Sequence, residues 1–403
     1  MVDRQISTRR RWLTACVGAT AGVATLAGCA SDTENDGSEA DGGETGSEET
    51  ASEYGSWPMA HYDAANTAVA PNSGPDSKPE EEWSIKFEGE PTTPVASNGV
   101  AYVGVRDDSY YAVDISEGET IWNYQTGEFE TPAISDTQVF VSGEGIEALK
   151  PGNGDQIWAS GHEPLSNLRI KQGVVYGSSD RHVYGVNTGS GEEVQSIEVS
   201  SSIVSFSIDR NRIYIKTQQN KKNYQIECYS MESGNFMWDY EIQQSNWGHG
   251  GLKFPVTNGR VITRDQKALT TIDGETGEGR IINEFELNLT VSVSVADSVV
   301  YCPLLINELP AVDMESGERI SDWEWDPLAG RINWRTPIAD STLYVWASRG
   351  VSSGFVLIAV DSKTGNQKWE YESQLTGNPA GPTILKDMVL FPDDYGDRLV
   401  AIK

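Results

Sequence analysis

A strand-turn-strand module recurs along this chain, and that recurrence limits the possible folds more than any other feature. Its first copy runs from Tyr111 to Trp122 as Tyr-Ala-Val-Asp-Ile-Ser-Glu-Gly-Glu-Thr-Ile-Trp. Counted on its glycine, the module occurs at Gly118, Gly154, Gly191, Gly234, Gly277, Gly317 and Gly365, at intervals of 36, 37, 43, 43, 40 and 48 residues. A unit of that length cannot bury its own apolar faces, so successive copies must stack into a solenoid or close into a propeller. A tryptophan follows the glycine by four residues at Trp122, Trp158, Trp238 and Trp369. The equivalent positions hold Gln195, Ile281 and Ser321, with Trp323 two places beyond the last.

Each copy predicts four strands. In the first, Pro94 to Ser97, Val100 to Gly104, Tyr110 to Ile115 and Thr120 to Tyr124 alternate as expected of sheets packed on both faces. Proline opens the innermost strand in later copies, at Pro132, Pro255, Pro337 and Pro382, where its missing N–H has no ladder partner. After seven complete copies, Gly381 to Lys403 supplies three strands and stops. The fourth is found at the other end of the chain, in Glu82-Trp83-Ser84-Ile85-Lys86-Phe87, so pairing of the two ends would complete an eighth copy and remove an open sheet edge. The expected fold is all-β: an eight-bladed β-propeller of four-stranded antiparallel blades.

Charge excludes one large class of partner. Lys and Arg number 30 against 60 Asp and Glu, a net charge of -30, so the clustered cations of a nucleic-acid surface are missing. Residues 1–28 carry four Arg and one Asp, a net +3, which leaves -30 minus 3, or -33, on the rest. This excess resembles the acidic proteins of salt-loving archaea, in which high ionic strength screens self-repulsion. Of four cysteines only Cys228 and Cys302 lie in the repeats, two copies apart and in apolar strands, and both are expected to be buried thiols.

The first 56 residues read as export and tether. Arg9 and Arg10, followed by Arg11, Trp12 and Leu13, resemble a twin-arginine signal, and the short Ala- and Gly-rich run to Gly28 suits a removable apolar region. Leu26-Ala27-Gly28-Cys29 resembles a lipobox, implying cleavage after residue 28 and lipidation of Cys29. Ser31 to Glu53 holds nine acidic and no basic residues. Such a segment cannot form a core, and as a coil it spans roughly 25 to 30 Å. The expected organisation is a signal peptide over 1–28, an acidic tether over 29–56 and a propeller over 57–403, anchored by lipid to the outer face of the cytoplasmic membrane.

Trp57-Pro58-Met59-Ala60-His61-Tyr62-Asp63-Ala64-Ala65-Asn66-Thr67 closely resembles the entry motif of PQQ-like β-propeller proteins. Members of that family usually place glycine after the threonine, where this chain has Ala68. The repeated Trp and Gly resemble the tryptophan-docking motif of quinoprotein propellers, which implies that Trp83, Trp122, Trp158, Trp238 and Trp369 each stack on the glycine of a neighbouring blade. The boundaries that lack the tryptophan are expected to be softer. The architecture is shared with quinoprotein alcohol dehydrogenases, whose activity needs pyrroloquinoline quinone, calcium and an Asp base. The adjacent-cysteine pair that caps the quinone there, and the long insertions that build its pocket, are absent from this sequence, so no cofactor or metal is expected. His61 and Asp63 are motif positions in non-enzymatic relatives. Asp107-Asp108 and Asp393-Asp394 with Asp397 read as hairpin turns rather than calcium ligands.

The resemblance leaves a non-enzymatic binding or assembly scaffold as the leading reading, similar in architecture to propeller lipoproteins of bacterial outer-membrane assembly. A PQQ-dependent oxidoreductase and a carbohydrate-binding surface protein are the alternatives. Connections between the fourth and first strands and between the second and third fall on one face of such a disc, and these are the irregular ones. They carry Trp247, His249, Trp325, Arg331, Trp334, Arg335, Trp346 and Arg349, residue types enriched in binding hot spots. That face, over the fourth to seventh copies, is the expected site for an extracytoplasmic protein or peptide on a monomeric propeller. Asn288-Leu289-Thr290 is a glycosylation sequon.

Overall fold

In the computed structural model of the chain, the described residues are 53–403 except 221–222, 244–252, 266, 287–292, 305–307, 321–335, 349–353, 374–380 and 394–395. They belong to one unit, Glu49–Lys403. All regular structure among them is β, arranged as eight sheets in a ring.

Blade 1 shows the plan. Its strands are Val95–Ser97, Val100–Val105, Ser109–Asp114 and Thr120–Gln125, joined antiparallel in sequence order from the axis outward. The second strand is buried along nearly its whole length because neighbouring blades cover both faces, while the outermost strand shows only Trp122 fully to the interior. Blades 2 to 5 repeat the plan, ending on Gln156–Ala159, Glu193–Glu198, Phe236–Gln243 and Gly279–Glu284. Blade 6 holds Ser294–Ala296, Val299–Tyr301 and Ala311–Asp313 among the described residues, with Arg319 in an isolated bridge to Val312. Blade 7 runs from Ile338–Ala339 to Gln367–Glu372.

Blade 8 is built from both chain ends. Thr383–Leu385, Met388–Asp393 and Arg398–Ile402 supply three strands and Glu81–Lys86 the fourth, with Trp83 opposite Ala401 and Ile85 opposite Leu399. Glu80 and Lys403 exchange both backbone hydrogen bonds at 3.0 Å, and Lys86 pairs with Asp397 at 2.8 Å. The ring therefore closes through hydrogen bonds between residues more than 300 positions apart.

The docking geometry recurs at four boundaries. A methyl group on Gly118 would lie 2.7 Å from Cδ2 of Trp83, and Gly154, Gly191 and Gly277 are covered in the same way by Trp122, Trp158 and Trp238. Each of these glycines has a positive φ of 70 to 75°, so the turn and the indole contact both demand a residue without Cβ. The indole N–H donates to the carbonyl three residues before the glycine: Trp83 to Ile115, Trp122 to Pro151, Trp158 to Thr188 and Trp238 to Gly274, at 2.7 to 3.1 Å. Trp369 faces blade 8, where the chain has its ends rather than a turn, and donates instead to Pro75 at 2.6 Å.

Two boundaries without tryptophan replace it by other means. Gln195 Nε2 donates to Met231, the carbonyl three residues before Gly234, at 2.9 Å. It thereby reproduces the polar half of the contact without the indole. At the next gap Ile281 is exposed, and the backbone carbonyl of Ile282 comes so close to Gly317 that a methyl there would sit 2.1 Å from it. Asn283 Nδ2 donates to Gly317 at 2.8 Å. At this boundary the contact on the glycine turn is made by backbone and by an amide side chain rather than by an indole.

Candidate functional site

The two ends of the channel along the propeller axis are built differently. Residues 54–73 make a circuit of one end, at the turns between first and second strands, bonding to the inner strand of successive blades. Lys386 of blade 8 donates to Tyr54, Trp57 exchanges two bonds with Ala96 of blade 1, and Ile134 of blade 2 donates to Pro58. Ile170 of blade 3 lies 3.3 Å from Met59 Sδ. Ile208 of blade 4 donates to Ala64, Val256 of blade 5 to Ala65 and Ile338 of blade 7 to Ala68. Val69–Ala70 then adds a parallel strand to blade 7, and Asn72 reaches Ile384 of blade 8 at 2.9 Å. The short inner strands leave unpaired backbone groups around the axis, and this segment satisfies them.

Its centre is a buried polar latch. Asn66, fully buried, donates to Phe206 O and Ser207 Oγ of blade 4 and accepts two bonds from the Arg169 guanidinium of blade 3, at 3.0 and 2.6 Å. Burial draws Arg169 down to about 10, and the Asp63 charge opposes that shift. Asp63 itself caps Thr67 through the backbone N–H at 2.9 Å and the hydroxyl at 2.6 Å. The entry motif is thus a structural plug, in which His61 and Asp63 shape a turn. Ala68 adopts φ 57°, the left-handed conformation that glycine fills at lower cost, which is the physical reason for the family's preference at this place.

The other end, where chain enters the inner strands, is polar. Lys253, just before the inner strand of blade 5, bonds Asn167 Oδ1 of blade 3. Its charge also acts on Glu130 of blade 2, whose carboxyl burial raises above the usual range and Lys253 draws back. The Glu130 N–H donates to the Tyr110 phenol oxygen at 3.0 Å. Beside this mouth lie two further buried cations, Lys216 of blade 4 and Arg264 of blade 5.

Most residues proposed for the binding face, Trp247, His249, Trp325, Arg331, Trp334, Arg335 and Arg349, lie outside the described residues, as do Arg9, Arg10, Cys29 and Asn288. Trp346 is corrected. It belongs to the strand Thr342–Ser348, is fully buried, and packs edge-on against Phe391 with ring centroids 5.1 Å apart. Trp346 is the fifth residue of this strand, the place that Gly104 holds in blade 1, and it pairs with Leu357 rather than entering the loop. Lys216 lies within the strand Arg212–Gln218. Asp107 and Asp108 form the expected hairpin turn, with Asp108 at φ 63° and Asp107 accepting the Tyr111 hydroxyl at 2.9 Å.

Among the described residues no three His, Cys, Asp or Glu side chains converge as a metal site. Cys228 and Cys302 are free thiols buried in blades 4 and 6, the first pushed up by burial to about 12.

Docked glycine turns, axial inner strands and a last blade shared by the two chain ends together define a β-propeller of PQQ-like repeats. The chain belongs to the family described as outer membrane protein assembly factor BamB, whose model matches residues 63–238 and 222–372. No curated protein matches it in sequence. Among solved structures, BamB from Moraxella catarrhalis is 13% identical, covering 81% of this chain and 98% of that one, with a TM-score of 0.59. The computationally designed Ika8 protein is 12% identical over 80% of this chain and 99% of its own, with a TM-score of 0.64. Quinohemoprotein alcohol dehydrogenase from Comamonas testosteroni is 12% identical over 86% and 80%, with a TM-score of 0.62. At these identities the likeness is one of fold.

Proposed function

We propose that the chain is an exported, lipid-anchored, non-enzymatic propeller that binds an extracytoplasmic protein or peptide as a scaffold. The observation that carries this reading is the asymmetry of the disc. Residues 54–73 cover the inner strands at one end of the axis, which supports the opposite face, with its irregular connections, as the side for a partner. Membership of a family described as an assembly factor agrees with a protein-binding role.

Photocrosslinking on intact cells tests the reading. A crosslinker at Gln219, exposed on the loop face, is expected to capture a specific protein, whereas one at Glu117, exposed on the turn face, is not. Equal capture from both positions, or from neither, would reject the face assignment. Cys29→Ser is expected to release the protein from the membrane fraction. Addition of PQQ and calcium is expected to leave no quinone absorbance on the protein after desalting, and a retained band would move the assignment to an oxidoreductase.

A further inference from the structure

At two boundaries the gap between neighbouring blades is bridged on the turn face by one arginine and one glutamate. The arginine opens the second strand of one blade, and the glutamate stands two residues before the turn glycine of the next. Between blades 4 and 5 these are Arg212 and Glu275, with Nη2 and Oε1 3.8 Å apart, and between blades 5 and 6 they are Arg260 and Glu315, at 2.9 Å. Arg210, in the turn before Arg212, also reaches blade 5, with Nη1 3.2 Å from where a methyl on Gly259 would lie. The ladder fixes the equivalent places: Asp209 pairs with Arg212, Thr257 with Arg260 and, in blade 1, Ser97 with Val100.

The boundary of blades 1 and 2 lacks all three long side chains. Val100 holds the place of Arg212, Asn98 that of Arg210, and Gly152, two before Gly154, that of Glu275. None of them spans the gap, and a cavity of about 130 Å³ remains, walled by Val100, Tyr102, Ile134 and Val139 and rimmed by Asn98 and Asp136. That volume is several times the ~30 Å³ of one water and below the ~300 Å³ at which sites for drug-sized ligands begin, so the guest has the size of one side chain. The lining decides its charge, because it contains no Lys, Arg or His. Lys150, next to this turn, is tied to Asp155 at 3.2 Å. Asp136 is exposed and enters no ion pair among the described residues. Tyr102 is 4% exposed, and burial alone pushes its phenol up to about 12. Carbon walls with an aromatic ring, a free carboxylate and an amide suit a cation on an aliphatic stem.

We propose that the cavity between blades 1 and 2 binds a guanidinium group carried on a short aliphatic stem, with the stem against Val100, Ile134 and Val139 and the cation beside Tyr102 and Asp136. The guest takes the place that the chain's own Arg212 and Arg260 fill at the equivalent boundaries. A free organic cation and an arginine of another protein present the same group. The site lies on the turn face, away from the face proposed for the partner, and does not rest on that reading.

The test is a titration of the full chain, labelled at its Val and Ile methyls, with butylguanidinium, with its neutral isostere butylurea and with a capped alanine–arginine–alanine tripeptide, followed by nuclear magnetic resonance. Butylguanidinium is expected to shift the methyls of Val100, Ile134 and Val139 saturably, and butylurea to bind about tenfold more weakly. Asp136→Asn, an exposed change, is expected to weaken butylguanidinium about threefold to fivefold. Val100→Arg combined with Gly152→Glu transplants the closure of blade 4 and is expected to abolish the shifts; a methyl on Gly152 would meet nothing within 4 Å, so the glutamate has room. Binding of the tripeptide as tightly as butylguanidinium identifies an arginine of another protein as the guest, and binding of butylguanidinium without the tripeptide identifies a free small cation. Equal binding of butylguanidinium and butylurea, binding of neither, shifts confined to other methyls, or shifts that survive the double substitution would overturn the proposal. Should the double variant fail to fold, the isostere comparison and Asp136→Asn decide alone, and equal affinities in both would overturn it.

Discussion

Substituting alanine at two equivalent glycines separates the contribution of indole docking from that of the turn. Gly154 and Gly234 occupy the same turn with φ of 72° and 69°, so both substitutions place a Cβ in the left-handed region at about 1–2 kcal/mol. The gain from restricting the unfolded chain, about 0.4–1 kcal/mol, is also common to both. What differs is the neighbour. A methyl on Gly154 would lie 2.9 Å from Cδ2 and Cε3 of Trp122, whereas one on Gly234 meets Gln195 Nε2 at 3.6 Å, an ordinary contact. The rigid indole is fixed by its bond to Pro151 and cannot withdraw freely, which adds an overpacking penalty of about 1–3 kcal/mol. Gly234→Ala is expected to lose about 1 kcal/mol and Gly154→Ala about 2–4 kcal/mol, read from urea unfolding midpoints at unchanged slope. In a Trp122→Ala background the excess loss at Gly154 is expected to disappear. Equal losses at the two glycines, or an excess that survives removal of Trp122, would refute docking as the source of blade cohesion.

Gln195→Trp restores an indole above Gly234 with its N–H within reach of Met231 and is expected to stabilise by about 1 kcal/mol, while Gln195→Ala loses a bond worth about 1 kcal/mol. Arg169→Met leaves Asn66 Oδ1 buried without a donor and should cost about 1–3 kcal/mol. Limited proteolysis is expected to cut residues 54–73 first in that variant. Lys216 gives a pH dependence of defined sign. Its folded pKa, about 7, lies below the ordinary 10.5, so between those values the unfolded chain holds the proton that the folded chain lacks. Stability is therefore expected to fall as pH drops from about 10.5 to about 7 and to level off below. The total is on the order of 5 kcal/mol. Lys216→Met is expected to flatten this segment, and an unchanged profile in that variant would assign the slope elsewhere.

Local spacing made the ring legible. The glycine-to-tryptophan interval, the proline at inner strands and the orphan strand around Trp83 each report a backbone requirement that is met within a few residues, so the sequence states them without reference to distant parts. The pairing of Trp83 with Ala401 followed because a missing fourth strand and an unpaired one must meet to close a sheet. The loop face was less legible. Trp346 holds the strand place that Gly104 has in blade 1, and only its packing on Phe391 of blade 8 shows it as core rather than loop.

By itself, then, the sequence determined the module, its number and the way the ends meet, because those depend on periodicity and on valences of the backbone that any copy must satisfy. Only the tertiary structure decided what the entry motif does and where charge is left uncompensated. Asn66 meets Arg169 and Phe206 across more than a hundred residues, and Lys216 is buried across the ladder from Ser205 with no carboxylate beside it among the described ion pairs. No spacing rule encodes such meetings, since they depend on which side chains the closed ring brings to its axis.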